Sequence, residues 1–146
     1  MFNTFLYPWC SGVATILTSS FGVVGNLLSI LVLTRQSMVS VSNQLLLYLC
    51  MFDLVFLLAS LAMSTKALYH ILYPVKLYHA VDCIFHMAFA ASIFLTASLS
   101  IERHQAVCVP HAYQSRIIST GQRKLLAYYV IPSIMLACLL NIPRLV

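Results

Sequence analysis

Residues 43–65 read NQLLLYLCMFDLVFLLASLAMST, a run with a single charged side chain, Asp53. At 1.5 Å per residue a helix of this length spans about 34 Å, enough to cross a hydrocarbon core of about 30 Å. Three further runs of this kind lie at 11–34, 80–106 and 125–142. Four buried helices of a soluble protein would need polar chain to cover them, and little is present. Of 146 residues 62% are hydrophobic and 8% are charged, against about a quarter charged in an ordinary soluble domain. The mean hydropathy is +0.95. Backbone groups in lipid must be satisfied within each segment, and the runs lack the alternation of barrel strands. The expected fold class is an all-α membrane protein with four transmembrane helices.

The net charge is +5, but the basic residues are scattered between apolar runs. That spacing argues against nucleic acid and suits charges placed at membrane boundaries. Arg35, Arg103, Arg116, Arg123 and Lys124 gather on one side; Lys66, Lys76 and Arg144 fall on the other. The bias puts the amino terminus outside, and the expected location, for a multi-pass protein, is the plasma membrane. Trp9, Tyr69, Tyr73 and Tyr78 would then mark the outer interface, with Tyr113 and Tyr128 towards the inner one. The five cysteines (Cys10, Cys50, Cys83, Cys108 and Cys138) form no C-x-x-C pair and imply no disulfide framework. The first apolar run is longer than a cleavable signal peptide, and no N-x-[ST] acceptor occurs. The three acids lie far apart, Asp53 in the second span and Asp82 and Glu102 at opposite ends of the third, and His70, His79, His86, His104 and His111 show no metal-ligand spacing. No catalytic constellation follows, so an enzyme is not expected.

Asp53 is the one acid in the middle of a span. An ionisable group there costs about 2.5–3.5 kcal/mol on insertion scales and marks a bundle interior or a watery cavity. It lies ten residues above Asn43, about 15 Å deep. Asn26 is nine residues above Arg35, about 13.5 Å, and Ser92 eleven residues above Arg103, about 16.5 Å. A carboxylate, an amide and a hydroxyl from three helices thus share one layer. Such an oxygen-rich set suits a sodium ion or a bound water network. Taken singly, Asn26 and Ser92 read better as packing residues that hydrogen-bond between helices; for Asp53 the functional reading is preferred, since no Lys or Arg lies within a span to neutralise it.

The third span ends in ASIFLTASLSIERHQAVCVPHAYQSR, with Glu102, Arg103 and His104 at the membrane boundary. Arg103 reads either as a snorkelling interface residue or as a switch that pairs locally in one state and meets a partner in another. Spacing alone leaves both open.

Taken together these residues resemble the rhodopsin-like G-protein-coupled receptors. Gly25-Asn26 is similar to the first-helix signature of that family, LLLYLCMFDLV to the second, and Ser92 to the third-helix hydroxyl of its sodium site. Glu102-Arg103-His104 resembles D/E-R-Y, AVCVP resembles the continuation of that motif, and Pro143 falls where the fourth helix carries a proline. GNLLSILVLTRQSM, IERHQAVCVP and NIPR are most similar to invertebrate FMRFamide-type neuropeptide receptors. The resemblance implies that 1–146 is a partial seven-transmembrane receptor domain, its four spans matching the first four of seven helices. It also implies an extracellular peptide ligand, a heterotrimeric G protein that meets Arg103, and a sodium ion at Asp53.

Several positions depart from the family pattern. His104 stands for Tyr, and the fourth span lacks a tryptophan. Tyr78 occupies the outer cysteine position of the third helix, with Cys83 five residues later, so a disulfide role for Cys83 stays open. The ligand pocket and G-protein cleft of the family are built from both halves of the bundle. Residues 1–146 alone are therefore not expected to signal. Two alternatives are a four-span scaffold that pairs with a full receptor as a dimer, and a small channel or carrier that uses Asp53.

Overall fold

The computed structural model describes residues 2–35, 40–69 and 74–145, with side chains from residue 12 onward except 66–69, 75 and 144–145. Four long helices, α1 (Phe2–Arg35), α2 (Val41–Tyr69), α3 (Val75–Cys108) and α5 (Gln122–Leu145), are joined by a short α4 (Pro110–Thr120). Each long helix contains a stretch apolar enough to cross a membrane: Gly12–Arg35, Val41–Thr65, Lys76–Cys108 and Gln122–Pro143. The four expected spans are present to within a few residues, and the described residues contain no strand. The expected interface side chains of Trp9 and Tyr69, and Tyr73 as a whole, lie outside the described residues.

Helix ends follow local chemistry. The Ser40 hydroxyl accepts the Asn43 amide at 3.2 Å and opens α2. Val109, ahead of Pro110, leaves helical geometry at φ −136° and ends α3, as the proline ring disfavours a helical residue before it. Pro110 then starts α4 at a position that needs no amide donor. Gly121 ends α4 at φ +81°, a left-handed conformation that suits glycine. This α4, polar and without buried residues, is absent from the four-span expectation, because no apolar run announces it.

α3 is the centre of the bundle and touches α2, α4 and α5, whereas α1 packs against α2 alone among the described residues. α1 approaches closely at Gly22, where an added Cβ would sit 2.9 Å from Leu57 Cδ1; Gly25 of the first-helix signature meets nothing within 4 Å. The buried core lies towards the Arg103 end: Val41, Leu45, Leu95, Leu125, Tyr129 and Val130.

Elsewhere apolar side chains point outward, Phe21, Leu28, Leu31, Leu136, Leu139 and Leu140 among them. The accessible surface is 10163 Å², where a compact soluble protein of 16.3 kDa would expose about 7,500 Å². A surface of this size with many exposed apolar side chains is expected of helices solvated by lipid. Exposed hydroxyls on these faces need no water, because they donate to their own helix: Thr18 to Ala14 O at 2.9 Å, Ser29 to Gly25 O at 2.9 Å, Ser100 to Thr96 O at 2.9 Å.

Candidate functional site: two carboxyl groups on the α2–α3 seam

Polar side chains concentrate at two depths along the seam between α2 and α3. In the middle, the Ser92 hydroxyl of α3 donates to Asp53 Oδ1 of α2. The pair opens into a cavity of about 350 Å³ that is also lined by Phe56, Phe89, Ile93 and Thr96. Phe56 meets Phe85 and Phe89 at centroid distances of 4.8 and 5.5 Å and walls one side. Asn26, expected in the same cluster, instead gives its amide to Gly22 O of its own helix at 3.1 Å. The structure therefore brings Asp53 and Ser92 together and leaves Asn26 on α1.

Because Ser92 spends its proton on Asp53, both lone pairs of its oxygen remain available. A carboxylate oxygen and a hydroxyl oxygen converge on a small, mostly apolar cavity. This donor set fits a hard monovalent cation or a water; the residues present supply two of its ligands. Among the described residues, no three His, Cys, Asp or Glu side chains gather as metal ligands.

The second depth lies at the membrane boundary. Glu102 is 0% exposed, and both of its carboxyl oxygens accept hydroxyl donors: Ser42 of α2 on Oε2 and Tyr113 of α4 on Oε1. One side chain thus joins three helices. Burial, and then the bond to Glu102, push the Tyr113 phenol well above its ordinary pKa of 10. A second junction lies beside it. Gln105 Oε1 accepts Tyr129 OH at 3.1 Å and Arg116 Nη1 at 3.3 Å, and the Arg116 guanidinium sits 5.9 Å from the Tyr128 ring centroid. These contacts hold α4 against α3 and α5.

Arg103 and His104 are exposed at the same end. Neighbours on a helix point in different directions. Here Glu102 turns into the bundle while Arg103 turns out, and no ion pair between them is present among the described residues. Nearer the other end of α3, His86 Nε2 and Asp82 Oδ1 pair at 3.5 Å one turn apart. Cys83 is half-buried there as a thiol.

The sequence pattern of the 7 transmembrane receptors (rhodopsin family) matches residues 25–146. The chain belongs to that family. It is 30% identical to the FMRFamide receptor of Drosophila melanogaster over 148 aligned positions, covering 93% of this chain and 26% of that receptor. It is 36% identical to the neuromedin-U receptor 2 of Mus musculus over 110 positions, covering 71% of this chain and 27% of that receptor. The chain thus spans about a quarter of the length of each of these two receptors.

For a member of this receptor family, sequence reasoning had placed Asp53, Ser92, Glu102 and Arg103 but had missed Ser42, Tyr113 and Gln105. Ser42 gave no signal, being one hydroxyl among many near a helix start. Tyr113 had one: Pro110 and Gly121 bracket a helix-length segment, which places Tyr113 on its first turn, folded back towards Glu102.

Proposed function

We propose that residues 1–146 form the amino-terminal four-helix part of a peptide-responsive receptor that acts through a heterotrimeric G protein. The observation that carries this reading is Arg103. It is exposed where Arg35, Arg116, Arg123 and Lys124 also emerge, and its neighbouring acid is engaged by Ser42 and Tyr113. A guanidinium left with its five donors unspent is suited to the carbonyl oxygens of a docking partner. The basic end faces the cytoplasm by the charge bias, so the amino terminus lies outside; membership of the receptor family supports the plasma membrane as the location. The ligand class follows from relatives named for the peptides FMRFamide and neuromedin U.

A sodium ion at Asp53 and Ser92 belongs to the same reading. Its support is the donor geometry and the cavity beside it. Bound there, the ion would supply positive charge at mid-membrane; Asp53 would hold it, and Ser92 would orient the carboxylate.

A chimera tests the receptor reading. Residues 1–146 replace the matching segment of the Drosophila FMRFamide receptor, and G-protein activation is measured in cells on addition of FMRFamide. Peptide-dependent activation that is lost on Arg103→Ala is the expected result. A chimera that reaches the surface and binds the peptide but never activates the G protein rejects it. Residues 1–146 expressed alone are expected to give no activation, since both clefts of the receptor fold need further helices.

A further inference from the structure

We propose that the groove between α2 and α5 at the basic end of the bundle binds one anionic phospholipid, its phosphate on Arg123 and an acyl chain along the apolar floor. The proposal rests on the membrane setting of the helices and not on the receptor reading.

The groove has a volume of about 770 Å³ and is graded in polarity along its length. At its mouth stand Arg123 of α5 and Gln44 of α2; deeper in come Leu126 and Val130, then Met51 and Ile131. From residue 44 to residue 51 the helix rises about 10.5 Å, and from 123 to 131 about 12 Å. Half of a hydrocarbon core is about 15 Å, so the groove runs from the interface through most of one leaflet. Its outer residues Met51 and Ile131 are 53% and 59% exposed, which opens the trough sideways to lipid. A polar mouth at the interface above an apolar trough of leaflet depth repeats the layout of a phospholipid.

The sign of the headgroup follows from charge. The chain has three acids: Asp53 lies at mid-membrane, Asp82 on the far half of α3, and Glu102 is buried and held by Ser42 and Tyr113. Arg35, Arg103, Arg116, Arg123 and Lys124 therefore emerge at one end with no surface acid among the described residues. Arg123 makes no ion pair there, and its planar fork matches phosphate oxygens. A basic pocket between transmembrane helices is a recognised seat for acidic headgroups. A second copy is a poorer occupant. A two-fold pair in one membrane keeps both copies in the same orientation, which sets five cations against five at the same depth.

The test uses the whole chain, purified in mild detergent, with phosphatidylserine or phosphatidylcholine titrated in and bound lipid counted by native mass spectrometry. Phosphatidylserine is expected to be retained in preference to phosphatidylcholine. Arg123→Gln should weaken the phosphatidylserine adduct roughly fivefold, the loss of one interfacial cation, while phosphatidylcholine stays unchanged. Ala127→Phe, which fills the groove without touching its charge, should also lower phosphatidylserine retention. Arg35→Gln on α1, at the same end but away from the groove, should not. Equal retention of the two lipids overturns the proposal, and so does an Arg35→Gln effect equal to that of Arg123→Gln, which would mean diffuse attraction. A Met51→Cys chain that crosslinks copy to copy, undiminished by added phosphatidylserine, would assign the groove to a second copy and sink the proposal.

Discussion

Glu102 and Asp53 are placed alike and completed differently. Each is a carboxyl group on the α2–α3 seam, and each accepts a hydroxyl from the neighbouring helix. Glu102 has donors on both oxygens, from two different helices, and no exposure. Asp53 has one such donor, is only half-buried, and borders a cavity. A buried polar network that satisfies every member rigidifies the structure around it, whereas a partly satisfied one keeps capacity for a further partner. The contrast separates a fully satisfied clamp from a carboxyl group with room for a further partner, although both are acids in a membrane helix. Depth alone would not have separated them; the count of donors does.

The largest effect is expected at the clamp. Glu102→Ala orphans the Ser42 and Tyr113 hydroxyls and leaves a void where α2, α3 and α4 meet. Unsatisfied buried groups cost about 1–3 kcal/mol each, so a loss on the order of 3 kcal/mol is expected, read as a fall in the unfolding midpoint of the detergent-solubilised chain. Amides of α4 should exchange faster at the same time. An unchanged midpoint would mean that the carboxyl group does not hold the three helices.

Tyr113→Phe removes one donor to the same acid and should cost less, about 1.5–3 kcal/mol for a bond to a charged group. It carries a pH signature. The raised phenol pKa means that the folded chain keeps this proton when the unfolded chain has lost it. Stability from this group is therefore fully present below pH 10, the ordinary tyrosine value, and declines as pH rises above it. Difference absorbance should reveal tyrosine that ionises above the ordinary value, and this late component should shrink in Tyr113→Phe. If all tyrosines titrate together in the folded chain, Tyr113 is not docked.

At Asp53 the expected effect is on ligand response and not on the fold. Sodium that binds the folded state alone raises stability as its concentration exceeds the dissociation constant. Unfolding midpoints in sodium chloride should therefore exceed those in N-methylglucamine chloride at equal ionic strength, by about 1 kcal/mol at a few times that constant. Asp53→Asn should abolish the difference. A sodium response that survives this substitution places the ion elsewhere.

How much of this was legible beforehand depended on whether a residue's role is set by its own segment. Helix class and span positions follow from continuous apolarity, which each segment carries by itself, and all four runs appear in the fold. Counting depth puts Asp53 and Ser92 in one layer, because helix rise is regular, and their side chains meet in the structure. The same count included Asn26, which shares the depth but gives its amide to Gly22 O; rise fixes height and says nothing about which way a side chain turns. Gly22 was hidden behind Gly25 for the same reason, since only the α1–α2 approach reveals which glycine faces Leu57. α4 was overlooked because its signal is punctuation, Pro110 and Gly121, and not hydropathy.

The smallest effect is expected between the two acids. Ser98 of α3 lies between Ser92 and Glu102 in sequence, and its hydroxyl meets that of Ser133 on α5 at 3.1 Å. Ser133 also donates to Tyr129 O at 2.8 Å, so its buried hydroxyl keeps a partner when Ser98 is lost. Ser98→Ala should therefore cost only about 0.5 kcal/mol, the lower bound for a neutral hydrogen bond. Ser92→Ala, which takes the hydroxyl donor from Asp53, should cost at least three times as much, about 1.5 kcal/mol or more, as expected for a bond to a charged group. The pair of variants, compared by unfolding midpoint under one set of conditions, tests the charge of the partner, because helix and residue type are the same. Equal effects would mean that the hydroxyls act only as packing groups, and the distinction between clamp and binding site would then rest on Glu102 alone.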